Sequence, residues 1–104
     1  MNLADTQIKQ EFDENGYVAM YSFFEDNKIQ EIKNEIDRYI NDIVPNLPNN
    51  HVFYEDKSDK TTIKNLQQMF MYDDYFKKLI EESAIQEVAS FVLGEKAVPK
   101  NLQY

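Results

Sequence analysis

A chain of 104 residues, 42% hydrophobic and 13% aromatic, has room for one small core and is too apolar to remain disordered. Nineteen acidic residues against eleven basic ones give a net charge of −8, which repels phosphate backbones and anionic lipid and excludes nucleic acid and membrane surfaces as expected partners. The absence of cysteine rules out disulfides, thiolate metal sites and cysteine nucleophiles.

No stretch approaches the roughly 20 apolar residues that a spanning helix needs. The opening run Met1-Asn2-Leu3-Ala4-Asp5-Thr6-Gln7 lacks the basic and apolar regions of a leader. A cytoplasmic chain with a single domain over residues 1–104 is expected.

Ile8 and Phe12 lie four apart after an Asp5 or Thr6 cap, and Asn15-Gly16 follows, so a short opening helix is predicted. Tyr17-Val18-Ala19-Met20-Tyr21 is β-prone and reads as a strand. Ile29, Ile32, Ile36, Ile40 and Ile43 then recur at steps of three and four, opened by Glu25 or Asp26 and stopped by Pro45. They define one long helix with an isoleucine stripe toward the core. Its opposite face mixes Lys28, Glu31, Lys33, Glu35, Asp37 and Arg38, the pattern of a solvated surface.

Two prolines and three asparagines make Pro45 to Asn50 a loop. Val52-Phe53-Tyr54 reads as a strand, Asp56 to Lys60 as a turn, and Thr61 to Met69 as the returning strand of a hairpin. Helical spacing returns with Tyr75, Phe76, Leu79 and Ile80, and again with Ile85, Val88, Ala89 and Val92, where Ser83 is a candidate cap and Leu93-Gly94 a stop. Ala97 to Tyr104 reads as a final strand in which Pro99 limits pairing.

Few constellations here carry chemistry. His51 and Glu55 stand four apart, a ligand spacing on a helix, yet the Val52-Phe53-Tyr54 run between them favours a strand and a histidine at a loop edge. The acidic pairs Asp13-Glu14, Glu25-Asp26, Glu55-Asp56, Asp73-Asp74 and Glu81-Glu82 lack the spacing of a calcium loop and read as helix caps and solvated faces. Ser22, Ser58, Ser83 and Ser90 lack a nucleophile context, and two glycines cannot build a phosphate-cradling loop. No residue is assigned as catalytic or as a metal ligand. Met69-Phe70-Met71-Tyr72 with Tyr75 and Phe76 forms a dense soft and aromatic patch, read first as core and second as an adaptable contact surface.

The succession Phe12, Asn15-Gly16-Tyr17-Val18, Phe24, the isoleucine helix, Val52-Phe53-Tyr54-Glu55, Leu93-Gly94 and Asn101-Leu102-Gln103-Tyr104 resembles the opening third of phytanoyl-CoA dioxygenase-like oxygenases. The resemblance implies an α+β fold: N-terminal helices and a few strands forming an incomplete part of a double-stranded β-helix, or jelly roll. It also implies a full-length parent that hydroxylates a small organic substrate with Fe(II) and 2-oxoglutarate. The family holds iron with a His-x-Asp pair and a distal His, and its positions for iron and 2-oxoglutarate would lie beyond Tyr104. His51, followed by Val52-Phe53, does not match that motif.

A facial triad needs two imidazoles and a carboxylate, and this chain has one histidine, so no cofactor is expected to be held by this chain and it is expected to be inactive alone. Gln103 is the one substrate-lining candidate the resemblance supplies. Self-association through the Met69–Phe76 region is a further expectation, since that patch would pack on a barrel in the parent. The alternative is a freestanding domain that binds another protein through the same patch.

Overall fold

The computed structural model describes residues 3–104, so Met1 and Asn2 of the opening run lie outside the described residues. The architecture is α+β. Helix α1 (Leu3–Asn15) leads to the long α2 (Asp26–Asp42) and a 3-10 turn (Val44–Asn46), then to a hairpin of β1 (Val52–Tyr54) and β2 (Ile63–Leu66). The short α3 (Met69–Tyr72), α4 (Asp74–Glu81) and α5 (Ala84–Leu93) follow.

Helix α1 begins before Asp5 and Thr6, one turn earlier than their capping propensity predicts. It ends as expected at Gly16, whose φ of 80° lies in the left-handed region and whose amide donates to the Phe12 carbonyl at 2.8 Å. Helix α2 matches its isoleucine stripe from Ile32 to Ile40, whereas Ile29 in its first turns is 39% exposed and Ile43 is its C-cap residue. Glu25 occupies the cap position with extended backbone and makes no side-chain cap bond there, and Pro45 falls inside the 3-10 turn that stops the helix.

The core is built where α2, the hairpin and α4 meet. Tyr39, Val44, Val52, Leu66, Met69, Phe76 and Leu79 form its buried centre, with Ile32, Ile36, Ile40 and Ile43 packed around it. Tyr39 and Leu66 are 0% exposed, and the Tyr39 ring stands edge-on to Phe76 at 5.6 Å. Helix α1 packs against α5, away from that centre. The radius of gyration, 16.3 Å, accordingly exceeds the roughly 13 Å of a spherical domain this long.

Three strand expectations are corrected. Tyr17–Tyr21 forms no strand: a β segment is defined by its partner, none lies alongside, and Tyr21 is 91% exposed. The returning strand is Ile63–Leu66 rather than Thr61 to Met69. It stops because Gln68 takes a left-handed conformation (φ 55°) and the chain turns into α3 at Met69.

Ala97 to Tyr104 is not a regular strand either. Its start is tied to α5, where the Ala97 amide donates to Ser90 Oγ at 3.0 Å and Gln86 Nε2 donates to the Ala97 carbonyl. Its end lies along β2. Leu66 and Tyr104 exchange main-chain hydrogen bonds at 3.0 and 2.9 Å, and Met69 N donates to the Leu102 carbonyl at 3.1 Å.

The hairpin itself is antiparallel, pairing Val52 with Leu66 and Phe53 with Asn65, with an irregularity between Phe53 and Tyr54 that shifts Tyr54 onto Ile63. Its turn is closed by two aspartates. The Asp56 carboxylate accepts from the Ser58 amide and hydroxyl, and the Asp59 carboxylate from those of Thr61, at 2.6 to 3.0 Å. These bonds hold both carboxyls below their usual range.

Candidate functional site

The C-terminal segment brings the substrate-lining candidate onto the sheet. Leu102 packs against the core and Tyr104 pairs with Leu66, so Gln103, between them, points away from the core and is exposed. Around it, Asn65 Nδ2 donates to the Tyr104 carbonyl at 3.0 Å and the Gln68 amide donates to Asn101 Oδ1 at 2.9 Å. Asn101 thereby helps pin Gln68 in its left-handed conformation, a backbone state that costs a non-glycine residue roughly 1–2 kcal/mol. The side-chain amides of Asn65 and Asn101 thus fasten the main chain on either side of this segment, from two parts of the sequence.

A second polar group lies across the core. Asp73 precedes α4 and caps it, its carboxylate accepting from the Phe76 amide at 3.3 Å. The same oxygen accepts from Arg38 Nη2 of α2 at 2.8 Å, while Arg38 Nε donates to Glu35 at 2.5 Å. Asp73 is 10% exposed in its side chain, so this pair lies at the edge of the core. The two carboxylates, Asp73 first, hold the Arg38 guanidinium still more firmly in its charged form.

Tyr39 lies beside this group with its hydroxyl buried and without a hydrogen-bond partner among the described residues. Burial, reinforced by the charge of Asp73 and by Tyr72, pushes its hydroxyl up to about 12. Tyr72 itself is hydrogen-bonded to His51 Nδ1, and the two rings are tilted at 60° with centroids 5.5 Å apart. His51, expected at a loop edge, is thus drawn against α3.

Glu55, its would-be co-ligand, instead faces Lys64 at 3.8 Å on the hairpin. Among the described residues no group of three histidine, cysteine or carboxylate side chains stands close enough to hold a metal. A facial triad of two imidazoles and a carboxylate does not fit the residues present.

A groove of about 610 Å³ runs between the start of α2 and the α4–α5 corner, lined by Phe23, Phe24, Lys28, Tyr75, Lys78 and Ser83 among others. The Tyr75 hydroxyl donates to Glu31 at 2.8 Å, and Lys28 pairs with Glu31 at 2.7 Å. Lys28 and then Tyr75 hold the Glu31 carboxyl below its usual range, whereas burial and then Glu31 raise the Tyr75 hydroxyl. Ser83 caps α5 by accepting from the Ile85 amide at 3.1 Å, as its position predicts.

The Met and aromatic patch divides. Met69 and Phe76 are buried and Tyr72 and Tyr75 pack on the core, while Met71 is 61% exposed. No described helix is long and apolar enough to cross a membrane.

Sequence reasoning missed Tyr39 and the Arg38–Asp73 bridge. Tyr39 was within reach, since it lies three beyond Ile36 on the buried stripe. Arg38 and Asp73 are 35 residues apart, and local spacing carries no signal at that distance. No family model, curated protein or solved structure matches the chain.

Proposed function

We propose that this chain is the N-terminal portion of a phytanoyl-CoA dioxygenase-like oxygenase, whose full-length form hydroxylates a small organic substrate with Fe(II) and 2-oxoglutarate. The observation that carries the reading is the order of elements: a helix, a long helix, a hairpin, paired helices, and an extended segment laid along β2. The resemblance implies that order with one further element, a strand between the first helix and the long one, which Tyr17–Tyr21 does not form. In such a protein the segment ending at Tyr104 would continue into a jelly roll, and the exposed Gln103 would face substrate. With one histidine this chain cannot supply the two imidazoles of a facial triad, so on this reading the portion alone would be catalytically silent and no chemical step is assigned to it.

The test has two parts. An antibody against this chain should detect a species well above 12.4 kDa in source cells, and that longer protein should decarboxylate 2-oxoglutarate in an iron-dependent way. The isolated chain should not. A native species at 12.4 kDa, or turnover of 2-oxoglutarate by the isolated chain, would overturn the reading.

Exposure of Met71, two residues from the buried Met69, favours a second reading, a freestanding domain that binds a protein or a second copy of itself through the Met69–Phe76 region. A native species at 12.4 kDa with a defined oligomeric state that Met71→Glu disrupts would support it.

A further inference from the structure

A cleft of about 210 Å³ opens between the C-terminal end of α2, the 3-10 turn and the hairpin. Ile40, Leu47, Tyr54 and Ile63 line its apolar walls, and Asn49 and Lys60 supply its polar side. The walls are continuous with the core, because the buried Val44 and Val52 line the same cleft. Their positions are therefore set by packing rather than by a flexible loop.

The charge of this lining runs against that of the chain. Acidic residues outnumber basic ones nineteen to eleven overall, yet the cleft contains a lysine and no carboxylate. The groove beside α2, by contrast, sets Lys28 and Lys78 against Glu25, Glu31 and Glu82. Lys60 makes no ion pair among the described residues, as is also true of Lys33, Lys57, Lys77, Lys78, Lys96 and Lys100, but of these seven it alone lines this cleft. An ammonium free of partners at the side of an apolar cleft is complementary to an apolar molecule carrying one negative charge.

Size narrows the class. At ~30 Å³ for each water-sized group, the cleft admits a ligand of about six to nine non-hydrogen atoms. A divalent cation is disfavoured by the missing carboxylates, and a dianion by the single lysine.

We propose that this cleft binds a small amphiphilic monocarboxylate, with its hydrocarbon part against Ile40, Leu47 and Ile63 and its carboxylate at Lys60, assisted by the Asn49 amide. The site is separate from the surface around Gln103 and does not depend on the oxygenase reading.

The test is a titration of the full chain, labelled at isoleucine methyls, with hexanoate and with 1-hexanol, which has the same tail and no charge. Hexanoate should shift the Ile40 and Ile63 methyls saturably, and hexanol should bind at the same methyls roughly threefold to fivefold more weakly, the scale of one exposed ion pair. Lys60→Gln, at an exposed turn position, should leave the spectrum of the free protein unchanged away from the turn and reduce hexanoate to the level of hexanol. Shifts that fail to saturate, shifts centred away from Ile40 and Ile63, or hexanoate binding that Lys60→Gln leaves intact would each overturn the proposal.

Discussion

Leu66 and Tyr104, 38 residues apart in the chain, exchange both of their main-chain hydrogen bonds, at 3.0 Å from Leu66 N and 2.9 Å from Tyr104 N. Because Leu66 sits opposite Val52 on its other side, this exchange gives β2 a neighbour along each edge. The amides of Leu66 and Met69 should therefore resist hydrogen exchange although β2 has only four residues. A chain shortened to end at Lys100 should lose that protection. It should also be less stable by about 2–4 kcal/mol, from several hydrogen bonds near 1 kcal/mol each and the burial of Leu102. Unchanged exchange at Leu66 in the shortened chain would mean that the C-terminal segment does not hold the sheet.

Asp73 serves α4 as its cap and α2 as the partner of Arg38, so its two roles can be separated by substitution. Asp73→Ala removes both and should cost about 1–3 kcal/mol in urea unfolding. Asp73→Asn keeps a capping oxygen and removes only the charge. Arg38 is 34% exposed in its side chain and retains Glu35, so that substitution should cost less than about 1 kcal/mol. Equal losses for the two variants would show that the ion pair, rather than the cap, fixes the angle between the helices.

Gly94 ends α5 with a φ of 75° and donates its amide to the Ser90 and Phe91 carbonyls. A Cβ there would meet nothing within 4 Å, so Gly94→Ala is a test of backbone conformation alone. It should destabilise by about 1 kcal/mol, with the loss confined to the last turn of α5 in exchange measurements.

What could be read from the sequence was whatever is encoded over one or two turns. The isoleucine steps gave α2, Ser83 gave the cap of α5, Gly16 and Gly94 gave two helix ends, and Asp56 to Lys60 gave the hairpin turn. Strands were the weaker part, because a β-prone run becomes a strand only where a partner lies beside it. Tyr17–Tyr21 has the propensity and no neighbour, whereas Tyr104 pairs with Leu66 across a long separation. The break at Gln68 was hidden for another reason. Glutamine carries no preference for a left-handed backbone, and Asn101 and Leu102, which hold the chain there, come from 33 or more residues away. Gln103 was expected on a strand that Ala97–Tyr104 does not form, and its outward direction depends on the Leu66–Tyr104 pairing that fixes the register.

Tyr39 combines full burial with a hydroxyl that has no partner, and two consequences follow from that one atom. Tyr39→Phe keeps the edge-on contact with Phe76 and removes only the unsatisfied group, so it should be neutral or stabilising by up to about 1 kcal/mol near neutral pH. At alkaline pH the two proteins should diverge further. In the unfolded chain the hydroxyl ionises at its ordinary value of 10.0, while in the folded protein burial holds the proton up to about 12. Between these values the folded state binds more protons than the unfolded state, so stability is complete below the lower value and is lost as pH rises through the upper one. At about 1.4 kcal/mol per pH unit the loss from this group approaches ~3 kcal/mol. Tyr75 is raised as well and adds a slope of the same sign, which Tyr39→Phe should retain. Urea midpoints measured at steps from pH 8 upward should therefore fall more steeply for the wild-type chain than for Tyr39→Phe once pH passes 10. Parallel curves would mean that the Tyr39 hydroxyl reaches water in solution, and the core around α2 would then be more open than its packing indicates.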